Sequence, residues 1–136
     1  MNEYPFTSLV TLALVGLGLL LTGRVSKARL SFSESDQPSV AQHSVKIYSD
    51  PHFMVAFRNQ MNLLEHLILF LPTLWIFAVG FSDSLAAVVG LGYFAGRALY
   101  ARNYPHSHRV GFMLAWISML VLMLGAVASS VYQLIA

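Results

Sequence analysis

The chain has 136 residues, of which 57% are hydrophobic and only 10% charged, with a mean hydropathy of +0.64. A soluble domain carries about 25% charge, so this composition excludes an ordinary water-soluble globule, and a net charge of +2 gives no electrostatic footprint for nucleic acid. With no cysteine there is no disulfide, no thiolate metal site and no thiol nucleophile of the protein's own.

A membrane-spanning helix needs about 20 mostly apolar residues in succession. The first candidate is uncharged from Tyr4 to Gly23, and its helix is expected over residues 4–28. Glu3 stands where a signal peptide would carry its basic region, and the apolar run is too long for one, so the segment reads as a retained helix. The stretch over residues 30–50 is polar, rich in serine and carries Pro38; it reads as the one sizeable loop. Pro51 suits a helix start, and a second helix is expected over 51–80, amphipathic in its first half and apolar in its second, with Pro72 inside it loosening the hydrogen-bond ladder. A third helix over 84–104 ends at Tyr104-Pro105, because the residue before a proline avoids the helical region. The fourth, over 108–134, carries no charge after Arg109. The fold class is therefore all-α: an integral membrane four-helix bundle, with residues 1–136 forming one domain.

Lys and Arg set the orientation. Arg24, Lys27, Arg29 and Lys46 lie in or beside the first connection, and Arg102 and Arg109 flank the third, whereas the second turn holds only Asp83. Both basic connections are expected on the cytoplasmic side.

Ionisable groups inside membrane helices cost about 2.5–3.5 kcal/mol each on insertion scales, so they are candidates for function. Arg58, Asn62 and Glu65 fall within about 60° of one another on the second helix, and Arg97, Tyr100 and Tyr104 within about 60° on the third. Two polar stripes therefore face each other, or a neighbouring subunit, at one membrane surface. Guanidiniums match carboxylates in bidentate fashion and Glu65 suits an ammonium group, so a small zwitterion with more than one carboxylate fits. The competing reading is a structural Arg58–Glu65 ion pair that locks helices together. Of the five histidines, His106 and His108 sit two apart but lack a carboxylate partner at ligand spacing, and His43, His52 and His66 are scattered, so no metal is expected. Gly90, Gly92 and Gly96 read as a close helix contact.

The run Arg58-x-Gln60-x-Asn62-x-x-Glu65, followed by Phe70-Leu71-x-Thr73-Leu74-Trp75, resembles the second helix of the MAPEG family, the membrane-associated proteins of eicosanoid and glutathione metabolism. Arg97-x-x-Tyr100-x-x-x-Tyr104 and Arg109-x-Gly111-Phe112 are similar to the same family. The resemblance implies a homotrimer with glutathione at subunit interfaces near the cytoplasmic surface. Arg58, Asn62, Glu65, Arg97, Tyr100 and Tyr104 would line the peptide, while Gln60 and Arg29, within Ala28-Arg29-x-x-Phe32, would hold a terminal carboxylate. Gln60 points away from the Arg58 face and is expected to reach a different part of the site. In leukotriene and prostaglandin synthases of the family an arginine near the start of the fourth helix stabilises the thiolate; Arg109 is its candidate here, five residues beyond Tyr104, a shorter spacing than theirs. Val55 and Met61 stand where the prostaglandin synthase has arginines, which argues against transferring the eicosanoid substrates.

The implied function is that of a membrane-bound glutathione transferase, or glutathione peroxidase, that activates glutathione as a thiolate against lipophilic electrophiles or lipid hydroperoxides entering from the membrane lipids. The alternative is a non-catalytic lipid- or partner-binding scaffold of the same family. A bacterial inner membrane is expected over endoplasmic reticulum, with the site toward the cytoplasm.

Overall fold

The computed structural model describes residues 3–33 and 45–135. The middle of the first connection, with Pro38 and His43, lies outside the described residues. Among the described residues four α-helices run in succession: α1 (Pro5–Ser33), α2 (Pro51–Gly80), α3 (Asp83–Asn103) and α4 (Arg109–Ile135), with a short 3₁₀ turn, Val45–Ser49, leading into α2. All four helices are long and apolar enough to cross a membrane. The chain is an all-α four-helix membrane bundle, and no strand occurs among the described residues.

Two boundaries differ from the sequence expectation by more than one residue. The first helix continues to Ser33 rather than stopping near residue 28, and the last residues before α2 form the 3₁₀ turn rather than open loop. One small cluster explains both. Val25 and Ala28 of α1 are buried with Ile47 of the turn and Phe53 of α2, and Phe32 packs against them. The extra turn of α1 therefore has an apolar partner, and Ile47 is drawn under it.

Local chemistry sets the other ends. Asp50 caps α2, its carboxylate accepting from the Phe53 N–H at 3.1 Å and the His52 N–H at 3.4 Å, with Pro51 in the first helical position. Pro72 faces outward and α2 runs through it unbroken. Ser82 caps α3 by accepting from the Leu85 N–H at 3.4 Å. Inside the bundle, Val10, Leu14, Phe70, Leu74, Phe77, Tyr93 and Leu122 form a central core drawn from all four helices. The outer faces carry exposed Leu12, Leu20, Ile68, Val88 and Leu124, as a lipid-facing surface requires.

The two ends of the bundle differ in charge. One end gathers the C-termini of α1 and α3 with the N-termini of α2 and α4, and with them Arg24, Lys27, Arg29, Lys46, Arg102 and Arg109. At the other end Asp83, in the first turn of α3, reaches across to α1. Its carboxylate accepts from the Phe6 N–H at 3.0 Å and the Thr7 N–H at 2.8 Å, satisfying two donors of the first turn of α1 that have no partner within the helix. Replacing Asp83 by Ala is expected to lower the unfolding midpoint in detergent, and Asp83→Asn, which keeps one oxygen acceptor, should lower it less. Equal midpoints for wild type and Asp83→Ala would show that this contact is incidental.

Candidate functional site

The polar stripes of α2 and α3 meet near the basic end. Asn62 donates its amide N–H to the Tyr100 hydroxyl at 2.8 Å, which joins the two helices through a side-chain hydrogen bond. One turn deeper on α3, the Arg97 guanidinium lies 4.7 Å from the centre of the Tyr100 ring. Tyr104 stacks on Tyr100 with ring centres 5.4 Å apart, and the His108 ring meets both, at 5.2 Å from Tyr100 and 5.6 Å from Tyr104. Asn62, Arg97, Tyr100 and Tyr104 thus form one cluster, and His108 delivers the start of α4 to its edge.

Arg97 is only 2% exposed, and its Nε is buried without a hydrogen-bond partner. The cation–π contact offsets part of the desolvation but leaves the Nε–H unsatisfied, which is costly in a bundle without bulk water. Beside it, Tyr93 is fully buried and stacks on Phe70 at 3.5 Å, with its hydroxyl also lacking a partner. Tyr93 was not among the residues singled out from the sequence. The signal was available: residue 93 precedes 97 by four and continues the stripe 97, 100, 104 inward.

Arg58 and Glu65 are exposed on α2 and make no hydrogen bond or ion pair among the described residues. The Arg58–Glu65 pair offered by the structural reading does not form within the chain. Gln60 turns to α1, as its position on the helix wheel predicts, and donates to the Thr22 hydroxyl at 2.7 Å. There it shares with Arg29 a cavity of about 390 Å³ also lined by Thr22 and Ser26. Arg29 lies 5.7 Å from the centre of the Phe53 ring, and its Nε too is buried and unpaired. Arg109 is exposed in the first turn of α4, directly after His108.

The nine residues therefore divide within one chain. Asn62, Arg97, Tyr100 and Tyr104 form one cluster, Arg29 and Gln60 form a second against α1, and Arg58, Glu65 and Arg109 stand exposed. His66, next to Glu65, is half-buried with its ring edge-on to Trp116 at 6.2 Å, which ties this part of α2 to α4.

Residues 7–128 match the model of the MAPEG family. Over 136 aligned positions the chain is 32% identical to the uncharacterized protein sll1147 of Synechocystis sp., covering 98% of this chain and 93% of that protein. It is 33% identical to leukotriene C4 synthase of Mus musculus over 106 residues, covering 78% of this chain and 65% of the mouse protein, slightly less than two thirds of its length. Microsomal glutathione S-transferase 2 of Homo sapiens is 34% identical over 107 residues, with 76% and 67% covered.

Proposed function

The chain belongs to the MAPEG family, and from that premise we propose that it is a glutathione transferase of the membrane, with peroxidase action on lipid hydroperoxides as a variant of the same chemistry. The observation that carries the reading is Arg97: a guanidinium buried in an apolar bundle, with an unpaired Nε and no carboxylate partner among the described residues. Such a cation favours an anionic ligand group. Exposed Arg58 and Glu65 add a cation and an anion near the same end of α2, which matches a ligand with two carboxylates and one ammonium group.

The division of the site supports a homotrimer. Arg29 and Gln60 lie on the α1 side of α2, while Asn62 and Arg97 lie on its α3 side. A neighbouring copy that presents its Arg29–Gln60 cavity to the Arg97 cluster unites the two halves around one glutathione, and Arg58 and Glu65 then gain partners.

When bound, glutathione supplies a thiol whose thiolate attacks a lipophilic electrophile. A free thiol titrates near pH ~8.5 and is mostly protonated at neutral pH; each unit of lowering requires about 1.4 kcal/mol of preferential thiolate stabilisation. Arg109 provides the nearby positive charge, reinforced by the unpaired N–H groups of the first turn of α4. Asn62 and the tyrosines orient the peptide, and the exposed apolar faces leave the electrophile a path from the bilayer. The excess of Lys and Arg at this end directs the site to the cytoplasm, and a bacterial inner membrane is the proposed location.

Calorimetric titration of the detergent-purified protein with glutathione, read alongside thiolate absorbance in the ultraviolet, tests the reading. Saturable binding with a thiolate signal is expected, and Arg109→Ala should keep the binding while losing the absorbance. A folded, trimeric sample that binds no glutathione would favour the non-catalytic scaffold.

A further inference from the structure

We propose a second polar site at the basic end, built to take a phosphate ester that also carries a hydrogen-bond donor, the chemistry of a glycerophospholipid headgroup. A cavity of about 330 Å³ opens between α1, α2 and α3, at the low end of the range for small-ligand sites. Arg24 and Lys27 of α1, His52 of α2 and Arg102 of α3 line it, and among the described residues no carboxylate does. Neither Arg97 nor Asn62 borders it, and of the cluster described above only Tyr104 does.

The floor of the cavity is specific. Asn59 is 5% exposed and donates its amide N–H to the Ala101 carbonyl at 2.8 Å, and Arg24 reaches the same carbonyl at 3.4 Å. The Asn59 donation fixes the amide's orientation, which leaves Oδ1 buried without a donor. Buried acceptors are rarely left unpaired. The ligand must therefore bring a negative charge to the three cations and an O–H or N–H to Asn59. A phosphodiester bearing glycerol or ethanolamine does both. Val55, 36% exposed, also lines the cavity and offers an apolar side chain against which the first carbons of an acyl chain would lie. Basic pockets between membrane helices at this depth bind anionic headgroups. Tyr104 lines the cavity and also stacks on Tyr100, so the two sites share a wall.

The test uses the full chain in nanodiscs of phosphatidylcholine alone or of phosphatidylcholine mixed with phosphatidylglycerol, with retained lipid counted by native mass spectrometry after mild extraction. Phosphatidylglycerol should be retained over phosphatidylcholine by about tenfold, a 1.4 kcal/mol preference. The variant Arg24→Gln/Lys27→Gln/Arg102→Gln should bring that ratio to about one, whereas Lys46→Gln, a basic residue of the same end that does not line the cavity, should leave it unchanged. A preference that survives the triple substitution, or one that Lys46→Gln reduces as much as any of the three, would mean diffuse surface charge and overturn the site. Soluble glycerol 3-phosphate, added to phosphatidylcholine discs, separates the sources. Stabilisation by it that the triple variant loses assigns the cavity to a free phosphate ester; stabilisation by phosphatidylglycerol alone assigns it to lipid.

Discussion

Replacing Arg97 by methionine should weaken glutathione binding by about a hundredfold, the largest loss expected of any single substitution in the site. Removing one partner of a buried charge pair costs about 2–5 kcal/mol, and about 2.7 kcal/mol corresponds to a hundredfold. Methionine keeps a long side chain to fill the space between Tyr93 and Tyr100, so helix content and oligomeric state should be retained. Arg97→Lys should recover little, since a single ammonium cannot reproduce the planar fork of donors or its stacking on the Tyr100 ring. Calorimetry on the three proteins decides the matter. If Arg97→Met binds glutathione as the wild type does while losing stability, Arg97 holds helices together and the ligand lies elsewhere.

Gly111→Ala should be the most damaging of the small substitutions. At Gly96 and Gly111 the backbones of α3 and α4 touch: a Cβ at Gly96 would stand 2.6 Å from the Ala115 nitrogen and 2.8 Å from the Gly111 oxygen, and one at Gly111 would strike the Tyr100 nitrogen. These are main-chain atoms and cannot rotate aside, so the helices must separate. Overpacking of this kind costs about 1–3 kcal/mol, and the displaced segment carries Tyr100. Both the unfolding midpoint and glutathione affinity should fall. Gly16 and Gly23 supply the comparison, because a Cβ at either meets nothing within 4 Å. There the same change should be neutral or stabilising, by up to about 1 kcal/mol from helix propensity. If Gly111→Ala matches Gly16→Ala in both measurements, the close crossing is not needed.

Much of this was legible in advance, and physical reasons mark where it stopped. Long apolar runs admit one solution in a bilayer, so four helices could be read from composition alone. The 100° repeat of a helix placed Gln60 on the far side of α2 from Arg58 and brought Asn62 to Tyr100. Gly96 was read as a point of close approach, but its partner Gly111 was read only as part of a family motif. Tyr93 and Asn59 escaped because what distinguishes them is a single unpaired atom, a property of packing that no residue type announces. The longer α1 escaped for a similar reason: Ile47, across the connection, makes its last turn worth forming. Arg58, Glu65 and Arg109 were singled out from the sequence, and within one chain they stand exposed with no hydrogen-bond or ion-pair partner among the described residues.

The clasp of Asp83 on the first turn of α1 joins residues 76 and 77 positions apart. In polymer terms it closes a ring that contains all of α2 and both of its connections. The loop-closure entropy for so long a segment grows only with the logarithm of its length, so the connection between α1 and α2 can be lengthened or shortened at small thermodynamic cost while the far end stays buckled. A cut in that connection would leave two fragments held together by the buckle and the shared core. The basic end, where both polar sites lie, is thereby at liberty to vary its loops without loosening the rest of the barrel of helices.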